Sequence, residues 1–277
     1  MNYKIHSNGW TVLADVDLKT CTQDDINTIA RLVATNVIVV FKNQFLTIKE
    51  ELRILHMFKN LVPLYNKDNP LFPNYAVDPD GLICRVTAEL RDGQPGMAGD
   101  KETFDWHVDS PQAPTRSSIL YLRAEKETLG SKTSWNNNLL AYKDLDKSLK
   151  NTIVDLHCIY GNIKALWAPD FVGVKYNYDW TPKLVHKNIT GEMGLYFDPE
   201  QLGKFVELSQ EQSDDLKKIL EQHVFNDKYV YHHDWCDGDL IIADQWNGLH
   251  KRWAFDKMDI RVMHRATMDY PEQIYEL

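Results

Sequence analysis

The sequence predicts a mostly β protein of the α+β class, with strands in a barrel or sandwich and helices at its periphery. Short β-branched runs such as residues 37–41 recur along the chain, and the few helical segments do not alternate with strands as βα units would. The 277 residues, 43% of them apolar, suffice to bury a full core without disulfides. No linker rich in Pro, Gly or Ser interrupts the chain, so we expect one domain spanning residues 1–277.

Helix caps and apolar periodicity predict three helices. They begin after Thr22, after Thr47 and near Ser209, and the second is expected to continue to about residue 60. Short apolar runs predict strands at 37–41, 82–86, 117–122, 229–233, 240–243 and 260–268.

Composition and charge exclude several classes of function. The net charge of −9 disfavours a nucleic-acid-binding protein, which needs a basic face toward phosphates. No apolar run approaches the roughly 20 residues that span a bilayer, and the first residues lack the apolar segment of a signal peptide. The four cysteines are scattered, with no CxxC pair. We therefore expect a cytoplasmic protein without nucleic-acid or membrane partners.

The first candidate for chemistry is the metal-ligand pattern His107-Val108-Asp109. On a strand, residues i and i+2 point to the same side, so an imidazole and a carboxylate can bind one metal ion. A second histidine would complete a set of two histidines and one carboxylate, which suits Fe(II) because three coordination positions stay open. Chance alone supplies about one such His-x-Asp pair in this composition. His232-His233-Asp234 repeats the pattern, so either pair could instead be a hydrogen-bonded cluster on a strand.

Downstream residues distinguish the two pairs. Eleven residues separate His250 from Arg261, which allows a turn and a returning strand whose side chains face the same interior. The planar guanidinium of an arginine binds a carboxylate through two parallel hydrogen bonds.

A set of segments occurs in a characteristic order along nearly the whole chain. These are residues 38–47, Trp106-His-Val-Asp109, Gly130-Ser-Lys-Thr133, residues 186–191 and 208–213, Gly238-Asp-Leu-Ile-Ile-Ala-Asp244 with His250 after it, and Arg261 with Arg265. Each piece is weak alone. As an ordered set they resemble the taurine dioxygenase-like family of Fe(II)/2-oxoglutarate-dependent dioxygenases.

The resemblance implies a fold and a set of roles. It implies a double-stranded β-helix (jelly-roll) core with peripheral helices. By position, His107, Asp109 and His250 would bind Fe(II), and Thr133 and Arg261 would hold the distal carboxylate of 2-oxoglutarate. The reaction implied is oxidative decarboxylation of 2-oxoglutarate with O₂, coupled to hydroxylation of a small, anionic organic substrate.

The resemblance also bears on the substrate. Arg265 matches an arginine that grips an anionic group in some members, although it could instead pair with an acid such as Asp269 or Asp244. An intact Asp109 favours hydroxylation over halogenation, because related halogenases replace this carboxylate to admit chloride. The loop 58–65 lacks the histidine of taurine-using members, so we expect another substrate.

Two alternatives to an oxygenase stay open at the level of sequence. The first is a non-catalytic, cupin-like protein that binds a metal or small molecule, and the second is a hydrolase that uses the same ligands to activate water. The segment 91–104, rich in glycine at its start, could form a lid over the substrate or be only a disordered surface loop, and its place just before His107 favours the lid. Homo-oligomer formation is left open.

Overall fold

The computed structural model describes residues 1–63, 68, 72–91, 93, 96–97, 102–114, 117–162, 175–256 and 260–271. In chain order, the strands are β1 (Asn2–Ile5), β2 (Val12–Asp15), β3 (Ile38–Phe41), β4 (Cys84–Val86), β5 (Phe104–His107), β6 (Ile119–Lys126), β7 (Lys132–Asn136), β8 (Cys158–Asn162), β9 (Lys175–Tyr176), β10 (Val185–Lys187), β11 (Met193–Leu195), β12 (Leu202–Phe205), β13 (Val230–Asp234), β14 (Leu240–Asp244), β15 (His250–Arg252) and β16 (Val262–Met268). The helices are α1 (Gln23–Asn36), α2 (Ile48–Leu55), α3 (Phe72–Tyr75), α4 (Asn138–Asp144), α5 (Lys147–Ile153) and α6 (Gln210–Val224).

The strands form one large sheet and three smaller ones. The large sheet has the order β1-β2-β3-β14-β6-β16-β4, and a four-stranded sheet has the order β13-β7-β15-β5. Pairing is antiparallel except between β2 and β3. One cavity is lined by side chains from both of these sheets, which places it between them. The predicted mostly β architecture with peripheral helices is confirmed.

The central strands of the large sheet are buried on both faces, and alternation along β14 shows how. Leu240 and Ile242 belong to the apolar cluster that includes α1 residues, whereas Ile241 and Ala243 belong to a second cluster on the opposite face of the sheet. Successive side chains of a strand point to opposite faces, so a strand covered on both sides is apolar throughout. This explains why the sequences of β3 and β14 are almost continuous apolar runs.

The helices agree with the predicted caps better than with the predicted lengths. Thr22 and Thr47 each form a reciprocal capping box, and Ser209 does the same for α6. The second helix ends at Leu55 rather than near residue 60, because Lys59 leaves the helix to form a bridge with Asp269 after β16. The short helices α4 and α5 were not predicted.

Half of the predicted lid, seven of the fourteen residues 91–104, lies outside the described residues, so its role as a lid stays a prediction. Within the described parts of the chain, no helix is both long and apolar enough to cross a membrane.

A buried charge cluster fastens α2 to the large sheet. The Glu51 carboxylate is 2.5 Å from the Arg123 guanidinium and 2.9 Å from Nδ1 of His264. Glu125 also pairs with Arg123. Although burial alone would raise the pKa of Glu51, His264 and Arg123 lower it below its ordinary value. The oxygens and nitrogen of Glu51, Glu125 and His264 are close enough to hold a cation, but the Arg123 guanidinium already contacts all three residues.

Removing the carboxylate of this cluster should be costly. Glu51→Ala is expected to lower the free energy of unfolding by about 3–5 kcal/mol, because it removes the buried carboxylate shared by Arg123 and His264 and leaves Arg123 only the partly exposed Glu125. Urea denaturation measures the change. The adjacent Glu50 is half-buried and bonds to Thr47 in the α2 capping box, so Glu50→Ala should cost about 1 kcal/mol. Equal losses in the two variants would contradict the role given to the cluster.

Candidate active site

Two histidines and an aspartate meet at the edge of the four-stranded sheet. His107 is the last residue of β5, and it pairs directly with His250, the first residue of β15. Asp109 follows two residues after His107, just past the end of the strand. One ligand atom from each of the three side chains lies within 4.8 Å of the other two. The predicted His107–Asp109–His250 group is therefore brought together.

Hydrogen bonds orient the ligand atoms. The Asp105 carbonyl lies 2.5 Å from Nδ1 of His107, so this nitrogen carries the proton and Nε2 keeps its lone pair for a metal. The turn before His250 is organised by Asp244, whose Oδ1 accepts the N–H groups of Trp246 and Asn247 at 2.7 and 2.6 Å. Asn136 Oδ1 accepts the Leu249 N–H at 2.7 Å.

The protonation states suit metal binding. Burial lowers the pKa of His107 well below its ordinary value, and the nearby His250 lowers it further. Burial also lowers the pKa of His250. Burial alone would raise the pKa of Asp109, but the Arg265 guanidinium and the two histidines bring it below its ordinary value. The site therefore offers two neutral imidazoles and one carboxylate at neutral pH, a donor set that suits Fe(II).

Arg261 is a buried cation without an anion. Its side chain lines the cavity between the two sheets, which His107, Asp109 and His250 also line, and only 3% of the residue is exposed. Among the described residues, nothing accepts a hydrogen bond from its Nε, and no carboxylate pairs with it. The Phe255 ring lies 5.5 Å from the guanidinium carbon. Burial, together with the charge of Arg252, lowers the pKa of Arg261 to about 9. Burying a charge without an anionic partner costs free energy, so this arrangement indicates that an anionic ligand binds at Arg261.

Thr133 lines the same cavity from β7. Its Oγ1 accepts a hydrogen bond from Nε1 of Trp235 at 2.9 Å. A hydroxyl that accepts in this way still has its own proton to donate. Arg252, which the sequence analysis did not single out, also lines the cavity and donates to the Glu102 carbonyl at 2.7 Å.

Arg265 pairs with a different acid from the two considered in the sequence. Its Nη2 is 2.6 Å from Oδ2 of Asp109, whereas Asp244 bonds to Tyr270 and Asp269 to Asn60. The reason is the direction of β16, which points Arg265 into the cavity beside the candidate ligands. The alternative in which Arg265 pairs with an acid therefore holds in kind, with Asp109 as the acid.

The rival pair at His232 and Asp234 does not form a site. His232 Nδ1 lies 2.6 Å from the Ser134 hydroxyl, and Asp234 is an exposed residue 3.3 Å from the Lys132 ammonium. The intervening His233 points to the other face, where its Nε2 bonds to Asp239 at 3.0 Å. The three side chains are each engaged with a different partner.

The sequence analysis missed two residues that contact the ligand-bearing segment. Asp198 Oδ2 accepts the Val108 N–H at 2.9 Å, and Gln201 Nε2 donates to the Val108 carbonyl at 2.8 Å. Burial raises the pKa of Asp198 to about 7, while the N–H groups of Val108 and Gln201 act in the opposite direction. No sequence signal relates these residues to a motif 90 positions earlier.

The remaining cavity wall is apolar. It consists of Val86, Met97, Phe104, Leu120 and Leu122. Such a wall excludes water from the space between the candidate ligands and Arg261, where charge interactions are consequently strong.

Comparisons with known proteins agree with this geometry. The model of the "Taurine catabolism dioxygenase TauD, TfdA family" matches residues 6–267. Pentalenolactone F synthase of Streptomyces avermitilis is 23% identical over 206 residues, covering 67% of each chain. The (S)-phenoxypropionate/alpha-ketoglutarate-dioxygenase of Sphingobium herbicidovorans is 24% identical over 258 residues, covering 83% of this chain and 81% of that protein.

A solved structure shares the fold. The crystal structure of AAD-2 in complex with Mn(II) and N-oxalylglycine superposes with a TM-score of 0.80 at 19% identity, covering 98% of this chain and 99% of that one. The predicted jelly-roll core is thereby confirmed. The chain belongs to the TauD/TfdA family and is an Fe(II)/2-oxoglutarate-dependent dioxygenase that acts on small organic substrates.

Proposed function

We propose that His107, Asp109 and His250 bind the iron, and that Arg261 and Thr133 hold the distal carboxylate of 2-oxoglutarate. The observation that carries this assignment is the buried Arg261 guanidinium, which has no anionic partner among the described residues and shares a cavity with the three ligands. A buried arginine of this kind is a ready site for a carboxylate.

The charges of the cavity fit a dianionic cosubstrate. Arg252, Arg261 and Arg265 supply three positive charges, and Asp109 supplies one negative charge. Bound iron would add two more positive charges. The two carboxylates of 2-oxoglutarate offset two of these four excess positive charges, and the water-poor surroundings strengthen each contact that they make.

Each residue of the site makes a separate contribution to the reaction. With 2-oxoglutarate and O₂, bound iron supplies the oxidant for hydroxylation, and the cosubstrate leaves as succinate and CO₂. His107 and His250 donate neutral nitrogens, and Asp109 donates an ionised oxygen. Three ligands leave three coordination positions for cosubstrate and O₂. Thr133 and Arg261 fix the orientation of the cosubstrate, and the apolar wall limits access of water.

We further propose that the substrate carries an anionic group next to an apolar body, and that Arg265 contacts the anion. A guanidinium has five N–H donors, so Arg265 can hold Asp109 and a second anion at once. Leu120 and Leu122 offer apolar contact nearby. The relative named for (S)-phenoxypropionate, a carboxylate with an aromatic ring, supports this substrate class.

Charge removal at Arg265 tests the substrate assignment. Wild-type enzyme should use a carboxylate substrate at least about 10-fold better than its neutral amide, because the amide loses a charge-assisted hydrogen bond of about 1.5–3 kcal/mol. Arg265→Met should reduce this preference to near one. The measurement is kcat/KM for each substrate of the pair, followed by succinate release in air.

The ratio of the kcat/KM values for the carboxylate and its amide is the internal control. Arg265 also contacts Asp109, so its loss will disturb iron binding, but this effect acts equally on both substrates and cancels in the ratio. An unchanged preference for the anion in Arg265→Met would contradict the substrate-binding role and leave Arg265 as a partner of Asp109 alone.

A further inference from the structure

Val108, the residue between the two proposed ligands His107 and Asp109, lies just beyond the end of the hydrogen-bonded strand ladder. β5 ends at His107, and the ladder with β15 ends at the pair His107–His250. Val108 is buried, with 3% of its surface exposed. A buried backbone N–H or C=O without a partner is costly, so other groups must satisfy both polar groups of Val108.

Both groups are satisfied by side chains of one distant turn. Asp198 accepts from the Val108 N–H at 2.9 Å, and Gln201 donates to the Val108 C=O at 2.8 Å. The two side chains also bond to each other, since Gln201 Nε2 lies 2.7 Å from Asp198 Oδ2. We call this pair the Asp198–Gln201 clamp. Asp198 and Gln201 are themselves buried, at 1% and 6% exposure.

The same region holds the chain just after Asp109. The Tyr196 hydroxyl donates to the Pro111 carbonyl at 3.0 Å. Ser110, between Asp109 and Pro111, adopts a left-handed conformation with φ of 54°. A residue other than glycine rarely adopts this conformation unless its surroundings hold it. The segment 108–111 is therefore held from outside rather than by its own strand.

We propose that the Asp198–Gln201 clamp is a positioning device that fixes the relative direction of the His107 and Asp109 side chains. The peptide groups on both sides of Val108 set the rotation between these two side chains. With the clamp, the rotation is fixed before metal arrives. Without it, the segment can turn, and the two ligands no longer converge on one point. This inference rests on the proposed iron site.

Cobalt binding tests the clamp without relying on turnover. Gln201→Ala and Asp198→Asn are each titrated with Co(II), whose d–d absorption reports the geometry of its ligands. The apparent dissociation constant should rise at least about 10-fold, because partners of metal ligands typically contribute 10- to 100-fold to affinity. The d–d bands should also change in shape, which a simple loss of stability would not produce.

A matched control separates positioning from stability. Ser213 is equally buried, and its Oγ accepts the Phe205 N–H at 3.1 Å, far from the ligand motif in sequence. Ser213→Ala should lower the melting temperature of the apoprotein while leaving the Co(II) affinity and spectrum unchanged. If Asp198→Asn does not fold, the Gln201→Ala titration decides the question.

The outcomes distinguish the clamp from the site on which it depends. Wild-type affinity and an unchanged spectrum in folded Gln201→Ala, with Co(II) lost in His107→Ala, would overturn the clamp alone. Equal Co(II) binding by wild type and His107→Ala would overturn both the clamp and the proposed iron site.

Discussion

Asp109→Ala is expected to abolish succinate formation from 2-oxoglutarate while the protein remains folded. His107→Ala and His250→Ala should have the same effect. Each variant removes a proposed metal ligand, so the loss should exceed the 10- to 100-fold that is typical of residues supporting a ligand. Succinate release with Fe(II), measured beside the circular dichroism of each variant, checks the expectation.

The rival His-x-Asp pair supplies the matched control for these variants. His232→Ala and Asp234→Ala remove the same residue types from the same spacing. Asp234 is exposed and paired only with Lys132, an interaction worth at most about 1 kcal/mol. Both variants should keep wild-type iron binding and turnover. Full activity in Asp109→Ala, or iron lost from Asp234→Ala but kept by His107→Ala, would contradict the assignment.

Arg261→Met is expected to change stability and cosubstrate binding in opposite directions. The substitution removes a buried charge that has no anionic partner among the described residues, so the free energy of unfolding should rise by about 1–4 kcal/mol. It also removes the group proposed to bind 2-oxoglutarate. The KM for 2-oxoglutarate should therefore increase about 100-fold or more, since losing one member of a buried charge pair costs at least 2–5 kcal/mol.

An exposed arginine provides the control for this pair of effects. Arg31 lies on the solvent side of α1, so Arg31→Met should change neither stability nor the KM for 2-oxoglutarate. In anaerobic thermal melts with Fe(II), 2-oxoglutarate should stabilise wild type by about 2.7 kcal/mol at 100 times its dissociation constant, but should not stabilise Arg261→Met at that concentration. A destabilised Arg261→Met with unchanged KM would show that Arg261 is a structural residue.

Much of the fold follows from local sequence. The β-branched run at Ile38–Phe41 and the apolar run at Leu240–Asp244 became paired strands of the large sheet. Thr22 and Thr47 capped the helices that they were expected to cap. These features depend on neighbours within a few residues. The early end of α2 depends on Lys59 meeting Asp269, a contact between positions 210 residues apart that no local pattern reveals.

The candidate site likewise combines features that local sequence predicts with features that depend on distant parts of the chain. Spacing and residue type singled out His107 and Asp109, the family resemblance added His250, and the structure brings these three residues together. The partner of Arg265 could not be predicted, because it depends on which carboxylate of the folded chain faces β16. The surroundings of Arg261 could not be predicted either, since only the structure shows that this guanidinium is buried with no anionic partner among the described residues.

The structure also changes which residues should be considered as parts of the site. Asp198 and Gln201 lie in a turn between β11 and β12, and Asp198-Pro-Glu-Gln201 is an ordinary turn sequence. Their importance comes from the end of β5, which leaves the Val108 peptide groups to be satisfied by another segment.

The central claim is that iron and 2-oxoglutarate bind together at His107, Asp109, His250 and Arg261. An anaerobic titration of the apoprotein with Fe(II) and 2-oxoglutarate, followed by visible absorption, tests it most directly. A weak metal-to-ligand charge-transfer band should appear only when both are present, and should be absent in Asp109→Ala and require far more 2-oxoglutarate in Arg261→Met. A folded, Fe(II)-loaded wild-type protein that develops no such band would contradict the claim.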